Sequence, residues 1–230
     1  MIVGYAVLYK DGTLVISKKH SILSKKVRKD YGQFEDTNVP WGPDCLHIKI
    51  VQILDQVKSN WMYQWFSYCK NLTTLIGFEN LDVSHCKNFS NLFANCKYLI
   101  NIKSLESWNV SNGRNFSYMF YYCEHLQNIQ PLKLLNVSSG LNFISMFEGC
   151  KNILTLESLK DWDVSSGILF GEMFKDCINL VDISAVEQWN ISKGKDIEDM
   201  FDWWWKKRKI FKKKHLNIVR SNSYKIIIIY

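Results

Sequence analysis

"MFYYCEHLQNI" fills residues 119–129, "MFEGCKNILTL" residues 146–156 and "MFKDCINLVDI" residues 173–183, so one phrase recurs every 27 residues. Working outward from its phenylalanine gives Phe66, Phe93, Phe120, Phe147, Phe174 and Phe201, with every interval 27. Cysteine keeps the same step at Cys69, Cys96, Cys123, Cys150 and Cys177. Three residues further come Leu72, Leu99, Leu126, Ile153 and Leu180, then Leu75, Ile102, Ile129, Leu156 and Ile183. A large side chain then opens a four-residue phrase in each unit: "LDVS", "WNVS", "LNVS", "WDVS", "WNIS". Five units without one insertion are the mark of a repeat architecture.

A repeat of this kind cannot cover its own apolar face, and stacking neighbouring units makes the core continuous. Burying each large apolar side chain contributes roughly 1.5–3 kcal/mol, so about eight such positions per unit favour stacking strongly. The expected fold is therefore an α/β solenoid of about five coils, with a parallel β ladder on one face. "MFxxC" reads as a short helical turn on the back. "LxxI" leads into a strand, and "SNG", "SSG" and "SKG" form turns in which glycine supplies positive φ. Within the turn phrase, Asn109, Asn136 and Asn190, with Asp82 and Asp163, are placed to hydrogen-bond turn backbone.

The phrase "MFxxCxxLxxIxxLxxWNVSNGxxFSxMF" resembles the BspA-like leucine-rich repeats of bacterial and some protist surface proteins. The N-terminal "GYAVLYKDGTLVIS", followed by "VPWG", resembles the β-rich segment that precedes such repeats. The resemblance implies a leucine-rich-repeat horseshoe whose role is binding and adhesion at the cell surface. The chain departs from the family pattern in showing no export signal or anchor, which leaves a cytoplasmic location as the alternative. It departs again where the sixth "MF", at residues 200–201, runs into "DWWWKKRKIFKKKH".

Three regions follow. Residues 1–60 read as a β-rich cap, with residues 3–9 and 13–17 forming a hairpin around "KDG" and an extended segment near 46–54. Residues 61–202 carry the repeat, and residues 203–230 form a basic, aromatic tail. The net charge is +7, but nine Lys or Arg and no acid lie between Lys206 and the end. The remaining 205 residues therefore carry about −2, and arguments from charge attach to the tail alone. The tail reads as a patch for anionic membrane or nucleic acid, as a capping segment with Trp203–Trp205 on the last unit, or as an accidental extension. No run approaches the ~18 apolar residues of a membrane helix.

The residues give chemistry little to stand on. Five of seven cysteines belong to the ladder and read as small buried apolar groups. Cys45 and Cys86 stand outside it, with Cys86 the most exposed thiol expected. No CxxC pair, HExxH, GxSxG or glycine-rich phosphate loop occurs, so no catalytic residue, metal site or cofactor is expected. The expectation is a non-enzymatic recognition module whose partner is a protein or a glycan, the alternatives being attachment through the tail to an anionic membrane or nucleic acid, or a truncated fragment of a longer adhesin. Its contact row is Thr74, Asn101, Lys103, Asn128, Gln130, Thr155, Glu157, Asp182 and Ser184. That row is mixed in charge and lacks an aromatic platform, which argues against nucleic acid. Membrane contact would come only through the tail, and the oligomeric state is open.

Overall fold

The structure is a computed structural model that describes residues 1–197 and 199–202; the basic tail lies outside the described residues. β1 (Ile2–Tyr9) and β2 (Thr13–Ser17) form the expected hairpin, paired antiparallel with Val7 opposite Val15. The turn between them holds Gly12 at φ 92, and the Asp11 carboxylate accepts the Thr13 N–H at 2.9 Å. β3 (Val27–Glu35) pairs antiparallel with the other edge of β1. β4 (Ile50–Ile53) lies parallel to β2, and β6 (Thr74–Ile76) parallel to β4. The five strands run in the order β3-β1-β2-β4-β6. A separate pair, β5 (Val57–Lys58) and β7 (Leu81–Asp82), is parallel.

This corrects the expected fold class. The described residues form a mixed five-stranded sheet plus a small parallel sheet, with almost no helix, and not an α/β leucine-rich-repeat horseshoe. The parallel ladder stops being continuous after β6. Beyond it the units meet through isolated parallel bridges such as Asn88–Asn115, Asn115–Asn142 and Asn142–Leu169. The "MFxxC" segments are not helical turns, and the cause is local. Two backbone positions in each unit are left-handed: Gln64, Asn91, Tyr118, Ser145, Glu172 and Asp199 at one, and Tyr68, Asn95, Tyr122, Gly149 and Asp176 at the other. A left-handed residue aims the next peptide away from the right-handed helical path. Alternate N–H groups are thereby turned toward the next unit. Met62, Gln64, Phe66 and Tyr68 donate to the carbonyls of Asn88, Ser90, Leu92 and Ala94 at 2.7–3.2 Å.

The apolar columns expected from the period are buried. Phe66, Phe93, Phe120, Phe147, Phe174 and Phe201 stack face to face, with centroids 5.3–5.7 Å apart. A second stack one turn away joins Phe89, Phe116, Phe143 and Phe170 at 5.3–5.6 Å. Trp41, from "VPWG", lies over Phe66 at 5.8 Å and donates its indole N–H to the Trp65 carbonyl at 2.6 Å. The tryptophans that open the four-residue phrase reach back 30 residues, Trp108 to the Phe78 carbonyl and Trp162 to that of Leu132. From Cys96 onward each ladder thiol donates to a phenylalanine carbonyl of the unit before, at 3.0–3.2 Å.

Two smaller expectations are corrected by packing. The turn glycines Gly113, Gly140 and Gly167 are not at positive φ. Glycine is needed there for close approach, since a Cβ on Gly113 would stand 2.4 Å from the Phe116 ring. Cys86 takes that place in the first unit and is buried, its thiol donating to the Asn88 carbonyl at 3.3 Å. Burial pushes that thiol up to about 12. The half-exposed cysteine is Cys45.

Candidate functional site

The nine residues of the expected contact row lie along one edge of the repeat. Thr74 pairs with Asn101, and Thr155 with Asp182, through parallel bridges. Lys103, Gln130, Glu157 and Ser184 each begin a three-residue 3-10 turn: Lys103–Leu105, Gln130–Leu132, Glu157–Leu159 and Ser184–Val186. The residue two places earlier caps each turn. Asn101 accepts the Lys103 N–H at 3.0 Å, Asn128 that of Gln130 at 2.9 Å, Thr155 that of Glu157 at 3.4 Å and Asp182 that of Ser184 at 2.9 Å. These four side chains are therefore held by their own backbone, while Lys103, Gln130, Glu157 and Ser184 are exposed beyond them. Ser158 donates to Gln130 at 3.0 Å, tying two neighbouring units.

The sequence reading missed the column just before the caps, at residues 73, 100, 127, 154 and 181. Ile100, Leu154 and Val181 occupy three of its five places and stay 55%, 43% and 53% exposed. The signal was present in the period: Thr, Ile, Gln, Leu, Val is an apolar-leaning column. Counting only the flanks of the central ladder position passed over it. Backbone hydrogen bonds hold the column straight, from the Ile100 N–H to Thr73 O at 3.1 Å and from the Val181 N–H to Leu154 O at 2.9 Å.

A cleft of about 640 Å³ opens at the start of this edge, between Thr74, Ile76 and Glu79 on one side and Asn101, Lys103 and Glu106 on the other. Its origin is a slip in register. The first unit's 3-10 turn is Phe78–Asn80, whereas the period places the counterpart of Lys103–Leu105 at 76–78. β6 takes the first of those residues, Ile76, and Gly77, at φ 71, starts the delayed turn. A Cβ at Gly77 would meet the Ile53 carbonyl oxygen at 2.1 Å.

On the neighbouring turn phrase the expected backbone caps are all formed. The N–H groups of Ser84, Ser111, Ser138, Ser165 and Ser192 donate to Asp82, Asn109, Asn136, Asp163 and Asn190 at 2.9–3.2 Å. Bonds from the Ser84 side chain and backbone hold the Asp82 carboxyl below its ordinary value, and Ser165 does the same for Asp163. Among the described residues no group of three His, Cys, Asp or Glu is placed to hold a metal ion, and no helix is long and apolar enough to cross a membrane.

Two overlapping stretches, residues 49–156 and 130–218, match the family described as "Mycoplasma protein of unknown function, DUF285". The chain belongs to that family. Between them the DUF285 matches span residues 49–218, and their starts lie 81 residues apart, three periods of 27. The family pattern is thus read twice in register with the repeat, and both matches include part of the capped edge. No curated protein and no solved structure matches the chain.

Proposed function

We propose that this DUF285 protein is a non-enzymatic recognition module that binds a protein partner along the edge formed by residues 100–103, 154–157 and 181–184. The observation that carries this reading is the half-exposed line of Ile100, Leu154 and Val181, backed by a row of side chains locked as turn caps. Apolar contacts flanked by polar ones are how protein interfaces are composed. A capped, hydrogen-bonded edge also loses little conformational freedom on binding. The cleft beside Thr74 and Lys103 offers a pocket for one anchoring side chain of the partner. The resemblance to BspA-like repeats supports the binding role and a place at the cell surface. A glycan is the other partner class it suggests; the aliphatic column favours protein.

A photo-crosslinking residue in place of Leu154 should capture the partner on native cells. The yield should fall about 100-fold when Ile100→Asp and Val181→Asp are combined, each substitution costing roughly 1.4 kcal/mol of binding. The same residue placed at Leu134, exposed in another column, should capture nothing; equal capture from both positions would sink the reading. Trypsin applied to intact cells should remove this protein's peptides while cytosolic proteins survive. Full protection would overturn the surface location but not the binding edge.

A further inference from the structure

Residues 118–122 hold three tyrosines, and the repeat sets acids beside them. By the period Tyr118, Ser145 and Glu172 share one column, Tyr121, Glu148 and Lys175 a second, and Tyr122, Gly149 and Asp176 a third. Backbone bonds lock the columns in register. The Tyr118 N–H donates to the Ile144 carbonyl at 2.9 Å, the Tyr122 N–H to that of Glu148 at 2.7 Å and the Gly149 N–H to that of Lys175 at 2.8 Å. The three tyrosines are half-buried and set at angles, Tyr118 to Tyr121 at 5.3 Å and 74°, Tyr121 to Tyr122 at 4.6 Å and 59°. Tyr122 lies against the next unit, since a Cβ on Gly149 would stand 2.8 Å from its ring.

The acids beside this wall are short of cations. Lys175 is the one ammonium in the three columns, and it is bound to Glu172 at 2.5 Å. The other oxygen of Glu172 accepts from the Ser145 hydroxyl at 3.4 Å. Glu148 is 6% exposed, and among the described residues no cation is ion-paired to it. Burial holds its carboxyl above the ordinary value, with the Ser145 hydroxyl opposing. A buried carboxylate without a counter-charge is costly, and a cation that reaches it offsets that cost. Asp199 and Asp202 carry the first two columns into the sixth unit, so acid gathers on one side of the tyrosines. Ammonium and guanidinium groups are drawn both to tyrosine ring faces and to carboxylates. An uncharged sugar would leave the Glu148 charge unanswered, and an acidic partner would be repelled.

We propose that Tyr118, Tyr121 and Tyr122, with Glu148, Glu172 and Asp176, form a second docking surface that takes lysine or arginine side chains of a basic protein segment. One side-chain cation seats between Tyr121 and Glu148, and its neighbours meet Glu172 and Asp176. The surface uses other columns of the period than the edge at residues 100–103, 154–157 and 181–184, and it stands or falls apart from that edge.

Binding of a fluorescein-labelled oligolysine peptide to the full chain, followed by fluorescence anisotropy near physiological ionic strength, should be saturable. The matching oligoglutamate peptide should not bind. Glu148→Gln keeps the side chain's shape and should weaken binding about 10-fold. Tyr121→Leu combined with Tyr122→Leu should weaken it about 5-fold. Asp161→Asn removes the same charge at an exposed turn outside the three columns and should bind within about twofold of the parent. Carbodiimide should link Glu148 or Glu172 to a lysine of the peptide. Should the double tyrosine variant not fold, Glu148→Gln against Asp161→Asn decides alone. No saturable binding, equal loss in Glu148→Gln and Asp161→Asn, or a folded double tyrosine variant that binds like the parent would overturn the proposal. So would a carbodiimide link from Glu148 or Glu172 to a lysine of residues 206–214, which would make the chain's own tail the occupant.

Discussion

Asn95 sits at φ 61 with its N–H donated to the Tyr121 carbonyl at 2.6 Å, so its backbone cannot relax to a right-handed shape without losing the link to the next unit. Asn tolerates that conformation, whereas a β-branched residue pays roughly 1–2 kcal/mol for it. Asn95→Val should lower the unfolding free energy by about that much in urea titrations, and Asn95→Gly should change it by less than about 0.5 kcal/mol. The turn caps give a second residue-scale expectation. Asp82 and Asp163 have folded values below their ordinary one, so they bind fewer protons folded than unfolded. Their contribution is present above the unfolded carboxylate value and is lost as pH falls through the lowered folded one. Asparagine fills the same place as Asn109, Asn136 and Asn190 and keeps the accepting oxygen. Asp82→Asn with Asp163→Asn should therefore leave stability at pH 7 within about 1 kcal/mol and flatten its decline below about pH 4, read from urea midpoints across pH.

At the scale of elements, the phenylalanine stack and its tryptophan lid decide most of the packing. Phe120 has a ring on both faces, at 5.6 Å from Phe93 and from Phe147. Phe120→Ala should cost about 3–5 kcal/mol, because it leaves a cavity that two hydrogen-bonded neighbouring units cannot close. The exposed Tyr98→Ala should cost less than about 0.5 kcal/mol. Trp41 stands where a preceding unit would place its ring, over Phe66, and the Trp65 indole N–H binds the Asp36 carbonyl at 2.9 Å. Trp41→Ala should also cost about 3–5 kcal/mol. Both variants are read by the shift of the urea midpoint. The columns Phe66 to Phe174 and Cys69 to Cys177 were legible as core because each repeats one residue type in one environment. The turn type was not legible: left-handed backbone at Gln64 or Tyr118 leaves no mark in residues that carry no glycine.

Among the described residues the larger of two apolar clusters runs from Val3 through the sheet and the repeat to Phe201. No gap in that cluster separates residues 1–60 from the repeat, so the described part should unfold as a unit. Far-ultraviolet circular dichroism and tryptophan fluorescence should report the same melting midpoint. Two separated transitions would show that the sheet and the repeat hold independently. The candidate edge was only half visible from sequence. The polar row at Asn101, Asn128, Thr155 and Asp182 was legible as exposed, but its work as caps was not. The aliphatic line at Ile100, Leu154 and Val181 stood in the same period unread.

The sequence by itself determined the 27-residue register, the identity of the buried columns, the opening hairpin and the Asn and Asp turn caps. Those are local or strictly periodic, and side-chain type alone settles which face meets water. Only the tertiary structure decided the fold class, the delayed turn beside the cleft, and the close approach that calls for glycine beside the rings of Phe116, Phe143 and Phe170. Each of these depends on which way a backbone N–H turns, or on what lies beyond the first unit, where the period no longer supplies a neighbour.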